Sequence, residues 1–352
     1  MNEEFINGAQ IDTRPDEEKI KDFRLEEVVS APEPVLWKEK LPERWRLFPD
    51  QYQNGSGSCV AQTIKKLGGI ALSLKNKSFV ELSATPIYQS RSNRPDSGMI
   101  GVEAFELWRK KGLTLESLVP SRAMSDAEMD AYEVEQYKLD IGKVFALKNH
   151  VGLPVGDIET IASTIQKTKK GVMVWFYFTS KEWGQFVPKV IDDTLTLRSE
   201  KVSRHSVAAV DFTLYKGEKA LIIEDSSPFG GLYRRVITES FLQKRNWFAR
   251  YGTSFEFEAG STLKPSHIFN RDLKFNDTFN IDPEVVILQD CLKWDGTFPS
   301  DRDSTGYYGA ITAKAVFDFQ KKYKVAPDAE LDVLQGRSVG PKTRALLNTM
   351  FA

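Results

Sequence analysis

Cysteine is scarce, with only Cys59 and Cys291 in 352 residues. Two thiols cannot build a disulfide framework, so the chain has no need of an oxidising compartment to fold. Histidine is scarce as well, at three residues, and no His, Cys or Asp cluster has metal-ligand spacing, so neither a metal nor a cofactor is implied. An excess of one charge is missing too. Lys and Arg total 48 against 49 Asp and Glu, a net charge of −1, so bulk charge gives no reason to expect nucleic acid or an anionic membrane as partner. Small basic clusters such as Lys167, Lys169 and Lys170 read as solvated helix ends. No run of 18 apolar residues occurs, so no membrane span is expected. The start, Met1-Asn2-Glu3-Glu4-Phe5-Ile6, has neither a basic region nor an apolar run, so no signal peptide is expected.

What is present is ordinary for a soluble globular protein: 41% hydrophobic and 28% charged residues. A chain of this length exceeds one typical core, so two domains are expected. Residues 1–34 form a polar, acidic extension ending at Pro32 and Pro34. Composition shifts again at Glu258-Ala259-Gly260-Ser261. The expected organisation is therefore a domain over 35–258, a linker over 259–266 and a smaller domain over 267–352.

The most informative stretch runs from Gln53 to Ala61 and reads Gln-Asn-Gly-Ser-Gly-Ser-Cys-Val-Ala. A Gly- and Ser-rich loop leads into Cys59, and Val60, Ile64, Leu67, Ala71 and Leu74 then mark one apolar helix face. Ser58 takes the N-cap position, which puts Cys59 in the first turn. The unpaired N–H groups and helix dipole there favour a thiolate over a thiol. Gly55 and Gly57 permit the tight approach that such a loop needs.

Further along, a helical stretch is expected around Asp126–Tyr137, and His150 is placed in a surface turn before Gly152 and Pro154. A helix follows from Asp157 to Lys170, with Ile158, Ile161 and Ile165 on one face. Val172–Phe178 is continuously apolar and rich in aromatic and β-branched residues, which predicts a strand buried on both faces. Ser203–Val210, a turn at Lys216-Gly217-Glu218 and the return Ala220–Ser226 form a hairpin signal. The hairpin brings His205 and Asp225 to the same end of two neighbouring strands.

These residues resemble the papain-like cysteine peptidases. Gln53 stands six residues before Cys59 as in that family, and Gly57-Ser58-Cys59 and Ala61 match its signature, with Ser56 and Val60 in place of a Cys and a Trp. His205 opens a stretch similar to the family's His strand, at a spacing from Cys59 within the family's ~130–150 residues. Glu224-Asp225-Ser226-Ser227 falls where the family has Lys-Asn-Ser-Trp, so Asp225 replaces the orienting Asn and the shielding Trp has no counterpart. The resemblance implies Cys59 as nucleophile, His205 as base, Asp225 as its orienter and Gln53 with the Cys59 N–H as oxyanion hole. It further implies a substrate groove beside Gly57, Ser58 and Gly98.

A second resemblance begins after residue 267. Val285, Leu288, Gln289 and Leu292 are followed by Gly306-Tyr307-Tyr308-Gly309, then Thr312, Ala315, Val316, Phe319 and Gln320, and finally Val339-Gly340-Pro341 and Thr343. This pattern is similar to the small three-helix peptidoglycan-binding domain. It implies peptidoglycan as a partner, with Tyr307, Tyr308 and Thr312 as candidate wall contacts, while Cys291 packs inside.

The expected architecture is thus an α+β papain-like fold of two subdomains plus a small all-α domain. The expected activity is cysteine endopeptidase hydrolysis of protein or peptide substrates at the bacterial cell wall, as in a phage lysin. The expected route is cytoplasmic synthesis followed by action at the wall or on a phage particle. The alternative is an inactive papain-fold protein that binds the wall or serves a structural, phage-associated role.

Overall fold

The computed structural model describes residues 8–19, 34–40, 48–76, 79–255, 265–276, 281–299, 302 and 304–351. The expected linker at 259–266 falls mostly outside them. The chain divides into two compact units, Met1–Glu135 with Phe145–Glu256, and Gln136–Val144 with Phe257–Ala352.

The first unit is built on a six-stranded antiparallel sheet. Its strands are β1 (Leu147–Gly152), β2 (Val172–Phe178), β3 (Ser203–Tyr215), β4 (Glu218–Glu224), β5 (Arg234–Thr238) and β6 (Asn246–Phe255), in the order β1-β6-β2-β3-β4-β5. β2 is central and almost wholly buried, which its unbroken apolar run requires. Side chains alternate along it. Val172, Val174, Phe176 and Phe178 join a core with Ile158, Ile161 and Ile165 of the Ile158–Thr168 helix and Phe241 and Leu242 of the Glu239–Arg245 helix. Trp175 lies against Gly101 at the start of the Gly101–Lys111 helix, where a Cβ would stand 2.6 Å from its ring. The long Cys59–Asn76 helix packs on β3 and β2.

Local chemistry sets the ends of these elements. Asp157 caps the Ile158–Thr168 helix by accepting from the Thr160 N–H. Gly112, at a φ of 74°, closes the Gly101–Lys111 helix. The β3–β4 turn uses Lys216 and Gly217, both at positive φ. The stretch expected as one helix around Asp126–Tyr137 is instead two, Asp126–Ala131 and Gln136–Gly142, broken where Tyr132 turns extended.

In the second unit the helices Pro283–Asp295, Ala310–Lys322 and Pro341–Phe351 carry the apolar faces read from the sequence. Leu288, Leu292, Val316, Phe319 and Leu347 are all buried. A short helix, Asp328–Leu334, and a two-stranded ribbon of Leu273–Lys274 with Ser338–Val339 complete the C-terminal part. The Gln136–Gly142 helix packs against Pro283–Asp295, so this unit takes one element from the middle of the chain. Cys291 is buried here, and burial pushes its thiol pKa up.

Candidate active site

Cys59 is the first residue of its helix. Ser58 holds the N-cap position, because its carbonyl accepts the Gln62 N–H at 2.9 Å. Its hydroxyl pairs with Ser56 Oγ (2.7 Å) and Gln62 Nε2 (3.3 Å). Two contacts fix the helix against the sheet. Thr63 Oγ1 donates to the Cys59 carbonyl at 2.9 Å and in turn accepts from Ser206 Oγ at 3.0 Å, which pins the first turn to β3 beside His205. Lys66 reaches Glu224 at the end of β4 at 2.7 Å, with both side chains buried.

The hairpin does bring His205 and Asp225 together. His205 Nε2 lies 2.7 Å from Asp225 Oδ1, and both side chains are fully buried. Burial disfavours the imidazolium, but the Asp225 carboxylate and then the Cys59 sulfur outweigh it and push the His205 pKa up to about 10. Among the described residues Nδ1 has no other partner at hydrogen-bond distance and is the nitrogen left for Cys59. Burial works against the Asp225 carboxylate, yet His205, Arg235 and the Ser227 N–H hold its pKa below the usual range.

A tryptophan from another element packs against the His205–Asp225 pair. Trp183 ends the short Ser180–Trp183 helix, stacks on Phe178 with centroids 4.1 Å apart, and meets the His205 ring edge-on at 6.1 Å. Its Nε1–H donates to Asp225 Oδ2 at 3.0 Å. The sequence carries one signal for this helix, a capping box in which Thr179 and Glu182 bond reciprocally. Nothing in the sequence ties it to Asp225.

Gln53 is buried, and its side-chain amide is set from two directions. Ser226 Oγ donates to Oε1 at 2.7 Å, and Nε2 donates to the Ser56 carbonyl at 2.6 Å, leaving one amide hydrogen uncommitted. Ser226 follows Asp225 directly, so one loop contacts both His205 and Gln53. Gly57 packs so closely on Ser97-Gly98 that a Cβ would meet Gly98 N at 2.7 Å. Gly57 and Gly98 are therefore neighbours, while Ser58 is buried.

Residues 8–10 lie over Cys59. Ala9 forms a parallel bridge with Met99. Met99 N–H donates to the Gly8 carbonyl at 2.9 Å, and Gln10 N–H donates to the Met99 carbonyl at 3.0 Å. Gln10 Nε2 adds a bond to the Ser97 carbonyl at 3.0 Å. A Cβ on Gly8 would stand 2.5 Å from Cys59 Sγ and equally close to the Gly57 carbonyl oxygen. Cys59 is consequently 0% exposed.

The other candidates divide. Tyr308 and Thr312 are buried, with the Tyr308 hydroxyl on the Gly336 carbonyl and the Thr312 hydroxyl between Gln289 and the Tyr307 carbonyl. Of the three proposed wall contacts, Tyr307 alone keeps an exposed portion. His150 is not in a surface turn. It is buried in β1 between Glu106 and Arg250, because the strand extends to Gly152. Among the described residues no group of three or more His, Cys, Asp or Glu could hold a metal ion.

Solved structures with the same chain path are cysteine proteases. Procathepsin L2 proteinase from the larval midgut of Tenebrio molitor matches at 15% identity and a TM-score of 0.53, over 71% of this chain and 79% of that one. Xylellain, a cysteine protease from Xylella fastidiosa, matches at 12% identity and a TM-score of 0.50, over 72% of this chain and 98% of that one. Digestive procathepsin L 3 of T. molitor matches at 16% identity and 0.50, over 71% and 77%. The fold is papain-like. Residues 282–334 match a family model described as "Putative peptidoglycan binding domain". A comparison with curated proteins finds no match. The chain thus pairs a papain-like protease fold with a helical peptidoglycan-binding region, and no described helix is long and apolar enough to cross a membrane.

Proposed function

We propose that the chain is a cysteine endopeptidase addressed to the bacterial cell wall or to a phage particle. The observation that carries the reading is the buried His205–Asp225 pair at 2.7 Å with Cys59 beside it at a helix N-terminus. In this reading the Cys59 thiolate attacks the scissile carbonyl carbon, and the oxyanion is met by the Cys59 N–H and the uncommitted Gln53 amide hydrogen. The C–N bond then breaks as the His205 imidazolium gives its proton to the leaving amine. Water, deprotonated by the neutral imidazole, hydrolyses the thioester and restores the thiolate. Asp225 keeps the imidazole oriented throughout. Substrate reaches the sulfur only after Gly8–Gln10 has left, so the folded chain is a latent form. The C-terminal region contributes by raising the local concentration of wall-bound substrate.

The test is hydrolysis of purified bacterial walls and of a peptide library by the wild type and by Cys59→Ala. Loss of all cleavage in a variant with an unchanged thermal melt supports the reading, and full activity in it refutes it. The cover over Cys59 favours one alternative, an inactive papain-fold wall-binding protein. Labelling by a thiol-directed epoxide separates the two, because an inactive fold stays unlabelled at Cys59 after Gly8 has been displaced.

A further inference from the structure

Asp225 does not stand alone with His205. Its Oδ1 also accepts the Ser227 N–H at 2.8 Å, and its Oδ2 accepts Arg235 Nη1 at 2.7 Å as well as the Trp183 indole. Arg235 sits on β5 opposite Ile223 and is fully buried. Every nitrogen of its guanidinium is engaged. Nε donates to the Trp183 carbonyl (2.7 Å), Nη1 also to the Leu232 carbonyl (2.9 Å) and Nη2 to the Phe229 carbonyl (2.7 Å). The group also lies over the Trp183 ring, 4.8 Å from its centroid. A fork with this many fixed contacts cannot turn away from the carboxylate, and a lysine could not reproduce it.

A buried carboxylate is costly unless it is paired. Here the pairing runs in a line: the Cys59 sulfur, the His205 imidazole, the Asp225 carboxylate, then Arg235. With the sulfur and imidazole ionised, the four charges cancel. The charged groups around this line are already occupied. Glu182 pairs with Arg245 and Glu224 with Lys66, each at 2.7 Å, Arg234 pairs with Asp50 at 2.6 Å, and Lys65 with Glu116 at 3.1 Å. Arg235 is therefore the cation that faces Asp225 from the side away from the imidazole.

We propose that Arg235 is a positioning residue of the hydrolytic site, holding Asp225 ionised and its Oδ1 on His205, so that Asp225 and Arg235 act as one unit. The inference rests on the Cys59–His205–Asp225 reading above. A neutral residue at 225 is acceptable only if the cation at 235 is removed with it. Otherwise Arg235 is left as a buried charge facing the imidazolium, which disfavours the protonated ring.

The test is the pH profile of Cys59 carbamidomethylation by iodoacetamide in the full chain, which needs no peptide substrate. Cys291 serves as an internal control, and the cover by Gly8 slows all variants alike. In Asp225→Asn the alkaline end of the ion-pair plateau should fall by roughly 1–2 pH units. In Asp225→Asn with Arg235→Met it should move back up by about one unit, so the second substitution repairs the first. Neither variant carries a lone buried carboxylate, so the comparison does not depend on whether Arg235→Met alone folds. Arg235→Lys should keep part of the wild-type plateau. A role confined to packing would make the double variant the worse of the two. Identical alkaline limbs in Asp225→Asn and the double variant overturn the proposal. A wild type with no plateau at all overturns the underlying reading of the site instead.

Discussion

Placing a side chain on Gly8 should uncover Cys59. In Gly8→Val the new Cβ would stand 2.5 Å from Cys59 Sγ and from the Gly57 carbonyl oxygen. One of those atoms is backbone of the loop that leads into the Cys59 helix, so the segment at 8–10 must give way. Four hydrogen bonds hold it in place, at 2.9, 3.0, 3.0 and 3.4 Å, the last from the Ala9 N–H to the Arg204 carbonyl. At about 1 kcal/mol net each they contribute roughly 4 kcal/mol. Fixing the segment costs chain entropy, which lowers the total to roughly 1.5–3 kcal/mol. That corresponds to an open fraction of about one part in 10 to one in 100. Carbamidomethylation of Cys59 by iodoacetamide, followed by peptide mass mapping, should therefore speed up about 10–100-fold in Gly8→Val. Cys291 should stay unreactive in both proteins, because it is buried in the other unit. Equal Cys59 rates in wild type and variant, both with intact circular dichroism melts, would refute the reasoning.

Lys66→Met should destabilise the protein by about 3 kcal/mol, because it removes the closest cation from the buried Glu224 carboxylate. Chemical denaturation measures this, and Lys66→Met with Glu224→Gln should recover part of the loss. Stability should also depend on pH through the His205–Asp225 pair. The His205 pKa is raised to about 10, so its contribution is full below the unfolded value of about 6.5 and is lost as pH rises through 10. The Asp225 pKa is lowered, so its contribution is present above about 3.9 and is lost as pH falls. Thermal melts of the wild type should fall from pH 7 to 10.5, and melts of His205→Gln should fall less. An equal decline in both would remove His205 as the cause.

The parts of the fold legible in the sequence were those with a strong local period. Val172–Phe178 announced a doubly buried strand, and the turn at Lys216-Gly217 announced the hairpin that joins His205 to Asp225. Partners brought in by the sheet order had no local signature. Arg235 is one residue of an alternating strand, and only pairing with β4 turns it onto Asp225. Trp183 lies in a single helical turn whose capping box is readable, while its indole bond to Asp225 spans 42 residues. Tyr308 differs for another reason. An aromatic beside a glycine turn reads equally well as ligand contact or core, and the hydroxyl bond to the Gly336 carbonyl makes it core. Gly152 and Pro154 suggest a turn at His150, whereas the pairing of β1 with β6 continues through Gly152.

The inclusion of Gln136–Gly142 in the C-terminal unit bears on how such a protein is assembled and taken apart. The backbone passes between the two units at Glu135/Gln136, Val144/Phe145 and Glu256/Phe257. A protease that nicks the chain once between 256 and 264 therefore produces two polypeptides, yet the packing of Gln136–Gly142 on Pro283–Asp295 still holds one to the other. Such a nicked protein should run as two bands on a denaturing gel and as one peak on native size exclusion. The same root limits exchange of the C-terminal region between proteins of this fold. Fusing a foreign binding domain after Glu256 leaves Gln136–Gly142 behind without its partner helix, so a working swap has to replace both pieces.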